Sequence, residues 1–343
     1  MISDVRWLAF VLLAACYAPH LQTGSPCDAM HPCPDPLVCQ GATQTCQTVD
    51  VDAGVGSDVV LIDGCVPTTE FCGDGIDQDC DGVDPPCPAN DRPSGAIDIT
   101  AGGDFTADVR YAHDDNSGSG PGFCSQQGGR DVFYEIKVQG HEVYYLDTFN
   151  SDYDTVLRVY EGIHCADVVG SPDLCRNNSC GGMQTQLTTT LSGPNCVVVD
   201  QYSNNETHGA LTLHVERGNR DGNRVATGAN VSNGGDTSTS PNEQTGTCGA
   251  VGNDDGWYFT LCPAQTVTVT ATTCNAATTW DTALYLEGPS GELVCNNNDA
   301  SCTANTLAST LTATVSGAHL YWIVVDAGGA GAGSAYELDT TIQ

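Results

Sequence analysis

The sequence predicts an all-β chain that ends in two tandem β-sandwiches, and three observations support this. First, an Asp-Thr pair opens a short apolar strand that stops at Glu-Gly, once at Asp154-Thr155 and again, about one domain length later, at Asp281-Thr282. Such a repeat indicates two copies of one structural unit. Second, the chain is rich in Thr, Val, Asn and Gly, a composition that favours short strands joined by turns. Third, long helical periodicity is absent.

Each unit contains six or seven short apolar or alternating segments, separated by clusters of Gly, Asn, Asp and Ser. Strands at this spacing are typical of a β-sandwich. We therefore assign residues 92–217 to the first sandwich and residues 218–343 to the second, with a hinge at Gly218–Gly222. The predicted strands are 96–100, 132–137, 142–148, 155–160, 186–191, 196–201 and 210–216 in the first unit, and 257–260, 266–271, 283–286, 308–314, 321–326 and 335–341 in the second.

Charge and cysteine content limit the function classes. With 43 acidic and only 10 basic residues, the chain of 343 residues has a formal net charge of −33. A nucleic acid would be repelled by such a surface, whereas cations and basic surfaces are favoured partners. The 19 cysteines, without a repeated Cys-x-x-Cys zinc pattern, indicate disulfides and an oxidising compartment.

The N-terminus predicts export and a lipid anchor. Residues 1–15 contain Arg6 and then an apolar run that is too short to span a bilayer and fits a signal peptide. Leu13-Ala14-Ala15-Cys16 resembles the bacterial lipobox, which implies lipidation of Cys16 and removal of the preceding peptide. No Asp follows Cys16, so the resemblance implies sorting to the outer membrane or cell surface. The alternative is simple cleavage and free secretion, with Cys16 unpaired.

Three short regions precede the sandwiches. Residues 16–48 contain four closely spaced cysteines and several prolines, which predicts a small disulfide knot. Residues 49–64 form an acidic, flexible linker. Residues 65–91 contain an Asp-rich motif between the cysteines Cys65, Cys72, Cys80 and Cys87.

The Asp-rich motif predicts a structural calcium site. Carboxylates that alternate along a tightly curved loop converge on one centre, and oxygen ligands suit Ca²⁺. An EF-hand is excluded because Pro88 stands where its bidentate Glu would be. The pattern resembles thrombospondin type 3 repeats and, more closely, an acidic metal-binding motif of myxobacterial surface proteins. The alternative is a solvated acidic turn held by disulfides. The predicted ligands are Asp74, Asp77, Asp79, Asp81 and Asp84.

The order of features in the two units resembles the bacterial pre-peptidase C-terminal domain. Each unit has a Cys, an Asp followed by aromatic residues, the Asp-Thr strand, a Cys-Asn segment and a Val-Asp strand, as at Cys175-Arg176-Asn177 and Val199-Asp200. The resemblance implies a jelly-roll-like β-sandwich. It also implies a role in surface targeting or binding rather than in chemistry.

The cysteines of the sandwiches leave their pairing open. The positions common to both units make Cys175–Cys180 and Cys295–Cys302 the favoured local pairs. If Cys165 pairs with Cys196 and Cys262 with Cys274, then Cys124 and Cys248 could bridge the two units. Each closed loop contributes about 2–4 kcal/mol to stability.

No sequence motif indicates an active site. The chain has no H-E-x-x-H, G-x-S-x-G or P-loop pattern. Asp154 and Asp281 are expected to cap backbone N–H groups where their strands begin. A second calcium hypothesis places Asp152, Asp154, Asp200 and Asn177 at one end of the first sandwich.

The sequence therefore predicts a non-enzymatic, lipid-anchored surface protein that binds or adheres to an extracellular polymer or protein. One alternative is a structural envelope spacer without a specific ligand. Another is an accessory subunit of a secreted hydrolase system.

Overall fold

The computed structural model describes residues 66–116, 124, 129–203, 208–331 and 333–343, together with Cys27, Cys33, 37–40 and 45–48. The predicted signal peptide, the predicted lipidation site at Cys16 and the predicted acidic linker lie outside these residues. The chain divides into two compact units, Met1–Gly64 and Cys65–Gln343. Within the described residues, no helix has the length and apolar character needed to cross a bilayer.

The described residues of the N-terminal part, Met1–Gly64, form a disulfide-linked hairpin. Strands β1 (Leu37–Gln40) and β2 (Thr45–Thr48) pair antiparallel. Disulfides join Cys27 to Cys39 and Cys33 to Cys46. A segment this short cannot bury a large core, so covalent links supply much of its stability.

The first sandwich is one seven-stranded sheet that folds over its core. Its long strands β5 and β8 change register between Val138 and Glu142, so their two halves belong to different layers. The order is β4-β9-β5-β8-β6-β7, and β3 pairs with β5. The strands are β3 (Ile97–Asp98), β4 (Gly103–Asp108), β5 (Asp131–Asp147), β6 (Thr155–Glu161), β7 (Leu174–Asn177), β8 (Gln186–Gln201) and β9 (Ala210–Arg217).

The second sandwich consists of two separate sheets, β10-β12-β17-β14-β15 and β11-β18-β13-β16. It corresponds to the first, but the strand equivalent to β5 is broken into β12 and β13 at a segment that contains Pro263, which has no N–H for a strand ladder. The strands are β10 (Asn223–Arg224), β11 (Gly228–Asp236), β12 (Asp254–Thr260), β13 (Thr266–Thr272), β14 (Thr282–Gly288), β15 (Gly291–Asn297), β16 (Thr310–Ser316), β17 (Leu320–Ala327) and β18 (Ala335–Ile342).

Each sandwich has its own apolar core. The alternating burial along β13 and β18 follows from side chains that point to opposite faces of a strand. The predicted all-β class is confirmed: the described residues contain strands and three short 3₁₀ turns, at Pro93–Gly95, Cys165–Asp167 and Thr237–Thr239.

A third apolar cluster joins the two sandwiches. Val143 and Tyr145 of β5 pack with residues of the second sandwich that include Tyr258 and Trp322. The Arg220 guanidinium lies over the Trp322 ring, 4.9 Å from its centroid. The predicted hinge at Gly218–Gly222 is thus packed against the second sandwich.

The observed disulfides differ from most of the pairs that the sequence predicted. Cys165–Cys196 is confirmed. The expected pairs Cys175–Cys180, Cys295–Cys302, Cys262–Cys274 and Cys124–Cys248 are wrong, although all these cysteines are in disulfides. The observed pairs are Cys124–Cys175, Cys248–Cys295, Cys274–Cys302 and Cys180–Cys262.

The physical reason is the position of each cysteine relative to the sheet. Cys175 on β7 faces the segment that precedes β5, and its Cα lies 5.8 Å from that of Cys124, a separation a disulfide can span. The equivalent pair recurs in the second sandwich. Cys180 instead faces the break between β12 and β13, so it links the two sandwiches through Cys262.

Candidate functional site

The candidate site is the acidic loop between Cys72 and Cys87, which a disulfide closes. The loop has no regular secondary structure, because Gly73, Gly75 and Gly82 adopt positive φ angles of 65°, 80° and 92° and turn the chain repeatedly. This curvature brings side chains from different parts of the segment to one side.

Three carboxylates converge in this loop: those of Glu70, Asp77 and Asp79. One oxygen of each lies within 4.8 Å of the others. Glu70 is only 3% exposed. Its Oε2 accepts the backbone N–H groups of Gln78 at 2.8 Å and Asp79 at 2.9 Å. Its Oε1 has no hydrogen-bond partner among the described residues.

An unpaired carboxylate oxygen in a buried position is costly, and a bound cation would remove that cost. The donor set fits Ca²⁺, which takes six to eight oxygen ligands from carboxylates, carbonyls and water. Cys72 and Cys87 are oxidised in a disulfide, so they offer no thiolate to a softer metal. The residues present therefore fit a calcium ion, with Glu70, Asp77 and Asp79 as its carboxylate ligands.

Of the five predicted ligands, only Asp77 and Asp79 belong to this cluster. Asp84 accepts the N–H groups of Gly73 and Gly75, both at 2.6 Å. The remaining two also accept local hydrogen bonds, Asp74 from Ile76 N and Gln78 Nε2 and Asp81 from Val83 N. These three carboxylates hold the loop's conformation.

Sequence reasoning missed Glu70. It precedes the alternating Asp pattern and reaches the loop only because the chain reverses, with Thr68 N donating to Gln78 O at 2.8 Å. The one sequence feature that could have indicated Glu70 is its position two residues before Cys72, just outside the segment that holds the Asp residues.

Three residues of the second calcium hypothesis, in the first sandwich, have other partners in the structure. Asp152 accepts the N–H of Ala210 at 2.8 Å. Asp200 forms a buried ion pair with Arg158. Asn177 donates to the carbonyl of Cys124 at 3.4 Å.

The repeated Asp-Thr pair also has a structural role, carried by the threonine. Thr155 is buried and hydrogen-bonds Thr148, and Thr282 in the second sandwich hydrogen-bonds Thr273 at 2.6 Å. The expected capping by Asp281 is not observed among the described residues, where its Oδ1 is buried without a hydrogen-bond partner.

No protein-family model matches the sequence, and no curated protein matches it. Among solved structures, the pre-peptidase C-terminal domain of a collagenase from Bacillus anthracis is similar over 36% of this chain and 96% of its own, at 12% identity and a TM-score of 0.22. The CUB1-EGF-CUB2 domain of human MASP-1/3 matches over 70% and 99%, at 9% identity and a TM-score of 0.20. The corresponding domains of rat MASP-1 match over 72% and 99%, at 11% identity and a TM-score of 0.19. Similarity this low assigns no family and no function.

Proposed function

We propose that this chain is an exported, non-enzymatic surface protein that binds or adheres to an extracellular polymer or protein, and that Ca²⁺ stabilises the loop preceding its two sandwiches. The observation that carries the calcium assignment is the cluster of Glu70, Asp77 and Asp79. Glu70 has a buried oxygen without a hydrogen-bond partner among the described residues. A divalent cation supplies the charge that this cluster lacks.

An extracellular setting agrees with the disulfides, eight of which lie between described residues. Such bonds persist in oxidising compartments. Anchoring through a lipidated Cys16, in the outer membrane or at the cell surface, is part of the proposal and rests on the lipobox-like sequence.

The contacts of the histidines support a non-enzymatic role. His113 binds Asp91, His164 binds Glu135 and His319 binds Glu216. Each of these imidazoles pairs with one carboxylate, and among the described residues no serine, threonine or free cysteine hydrogen-bonds to it, as the nucleophile partner of a general base would. An apolar cluster and the Cys180–Cys262 disulfide join the two sandwiches, an arrangement that suits a binding module or, as the alternative, a structural spacer. An accessory role in a secreted hydrolase system is the third possibility.

Calcium binding is tested by titrating the purified chain and following its thermal unfolding. We expect a rise in Tm with Ca²⁺ and a fall with chelator, at the modest affinity of extracellular modules, with a Kd on the order of 10⁻⁴–10⁻³ M. Glu70→Gln should weaken binding by at least about tenfold, because it removes a ligand charge. Asp81→Asn is the matched control, since it makes the same charge change in the same loop outside the cluster.

Equal calcium affinity in wild type, Glu70→Gln and Asp81→Asn would contradict this site. A Tm that neither calcium nor chelator changes would remove the calcium assignment altogether. The partner is sought separately, with a glycan array and a pull-down from the surface of the producing cells. A surface component captured by wild type would support binding, whereas none in either assay would favour the spacer.

A further inference from the structure

A second group of metal-ligating side chains lies at the seam between the two sandwiches. His214 and Glu216 come from β9 of the first sandwich, and His319 directly precedes β17 of the second. Residues two apart on a strand share a face, so His214 and Glu216 point the same way. One ligand atom of each of the three residues lies within 4.8 Å of the others.

The glutamate lies between the two imidazoles. Glu216 Oε1 is 3.1 Å from Nε2 of His214 and 2.5 Å from Nδ1 of His319. Its other oxygen, Oε2, accepts the backbone N–H of Leu320 at 2.7 Å, which fixes the carboxylate relative to the second sandwich. The two imidazole rings are 6.1 Å apart and nearly perpendicular.

A fourth residue orients the first histidine. Asp104 on β4 lies directly opposite His214 on β9, and its Oδ1 is 2.6 Å from Nδ1 of His214. A carboxylate on the outer ring nitrogen is the usual support of a metal-binding histidine, because it fixes the tautomer and leaves the other nitrogen for the metal. Here that other nitrogen, Nε2, faces Glu216.

The spacing suits a small tetrahedral ion. Zinc–nitrogen distances of about 2.0–2.1 Å place neighbouring tetrahedral ligands about 3.3 Å apart. The two nitrogen–oxygen distances around Glu216 Oε1, 3.1 Å and 2.5 Å, are both shorter than that value, so an ion requires the three side chains to move slightly apart. Small side-chain rotations would therefore open the cluster enough to admit an ion.

We infer that His214, Glu216 and His319 form a binding site for a divalent transition metal of the zinc class, which links the two sandwiches. Two imidazoles and a carboxylate suit zinc, whereas Ca²⁺ prefers oxygen ligands. The side chains are 26%, 16% and 35% exposed, so the site is reached from solvent. It opens on a groove of about 470 Å³, from which a water molecule would complete a tetrahedral coordination shell.

The test uses the full chain in millimolar Ca²⁺, which occupies oxygen-ligand sites. Co²⁺ is titrated while its visible absorption is followed, and Zn²⁺ is then measured by competition with a chromogenic chelator. We expect one equivalent to bind with a tetrahedral cobalt spectrum. His319→Gln should weaken zinc binding by at least about tenfold, and the positioning variant Asp104→Asn by about 10–100-fold. His141→Gln, at an exposed histidine outside the cluster, should bind like wild type.

Equal zinc affinity in wild type and His319→Gln would overturn the proposal, as would the absence of a stoichiometric cobalt signal. If His319→Gln fails to fold, wild type supplies the decisive measurement. Zinc should then slow modification of His214 and His319 by diethylpyrocarbonate, read by mass spectrometry, and leave His141 unchanged. Equal rates with and without zinc would refute the site. These outcomes do not depend on the calcium loop.

Discussion

Asp254 and Asp326 lie directly opposite each other on the antiparallel strands β12 and β17, and both side chains are buried. One oxygen of each accepts backbone N–H groups, in Asp254 from Glu243 and Gln244 and in Asp326 from Gly252. The other oxygen of each has no hydrogen-bond partner among the described residues. Burial, and to a lesser degree the neighbouring Asp254, raises the pKa of Asp326 to about 7.

This pair predicts that stability falls as pH rises. An unfolded Asp has a pKa of about 3.9, so between pH of about 4 and 7 the folded state holds a proton that the unfolded state has lost. Asp326→Asn should raise the free energy of unfolding by up to about 4 kcal/mol at pH 8 and change it little at pH 4. Urea unfolding in chelator, from pH 4 to 8, measures this. Asp167→Asn, at an exposed carboxylate, is the control and should keep the wild-type pH dependence. The same pH dependence in Asp326→Asn would contradict the prediction.

The first sandwich balances the equivalent pair, Asp131 and Asp200, with a cation. Arg158 is 1% exposed, forms an ion pair with Asp200 and donates to the side chain of Asn116 at 2.7 Å. Tyr285 occupies the equivalent position on β14 of the second sandwich.

Arg158→Met should therefore destabilise the chain by about 3–5 kcal/mol in chemical denaturation, because it leaves buried carboxylates without their cation. The matched variant Tyr285→Phe should have little effect, since the tyrosine hydroxyl is buried without a hydrogen-bond partner among the described residues. A loss in Arg158→Met as small as that in Tyr285→Phe would contradict the charge-balancing role of Arg158.

The contact around Trp322 predicts a strict requirement for glycine. A Cβ at Gly222 would lie 2.4 Å from Cζ3 of the Trp322 ring and 3.0 Å from the carbonyl oxygen of Gly256. Gly222→Ala should therefore lower the free energy of unfolding by about 1–3 kcal/mol. Gly140→Ala, where a Cβ would contact nothing within 4 Å, should stay within about 0.5 kcal/mol of wild type. Equal effects would mean that the seam adjusts to the extra methyl group.

The disulfide between Cys180 and Cys262 predicts a specific peptide map. Trypsin has no cleavage site after Arg224, so residues 225–343 form one peptide. Without reduction, this peptide should stay joined to residues 177–217 in wild type and be released in Cys180→Ser/Cys262→Ser. Cys124→Ser/Cys175→Ser should leave it joined. We also expect loss of the bridge to cost about 2–4 kcal/mol of stability. Release of the peptide from wild type would contradict the pairing.

The all-β class, the two tandem sandwiches and most strand positions can be predicted from the sequence alone. Alternating apolar residues and turn residues act locally, so they are visible without coordinates. The sequence also located the acidic loop and predicted that Asp77 and Asp79 lie close together, because alternate residues on a curved segment tend to converge; their role as calcium ligands stays a prediction.

The contacts between distant segments are visible only in the folded structure. It brought Glu70 to the Asp loop, paired Cys180 with Cys262, and set His319 of one sandwich against Glu216 of the other. Such contacts depend on how strands pair and how the sandwiches pack. A linear pattern carries no information on which of several distant cysteines or carboxylates will meet, because each pairing is chemically equivalent until the chain folds.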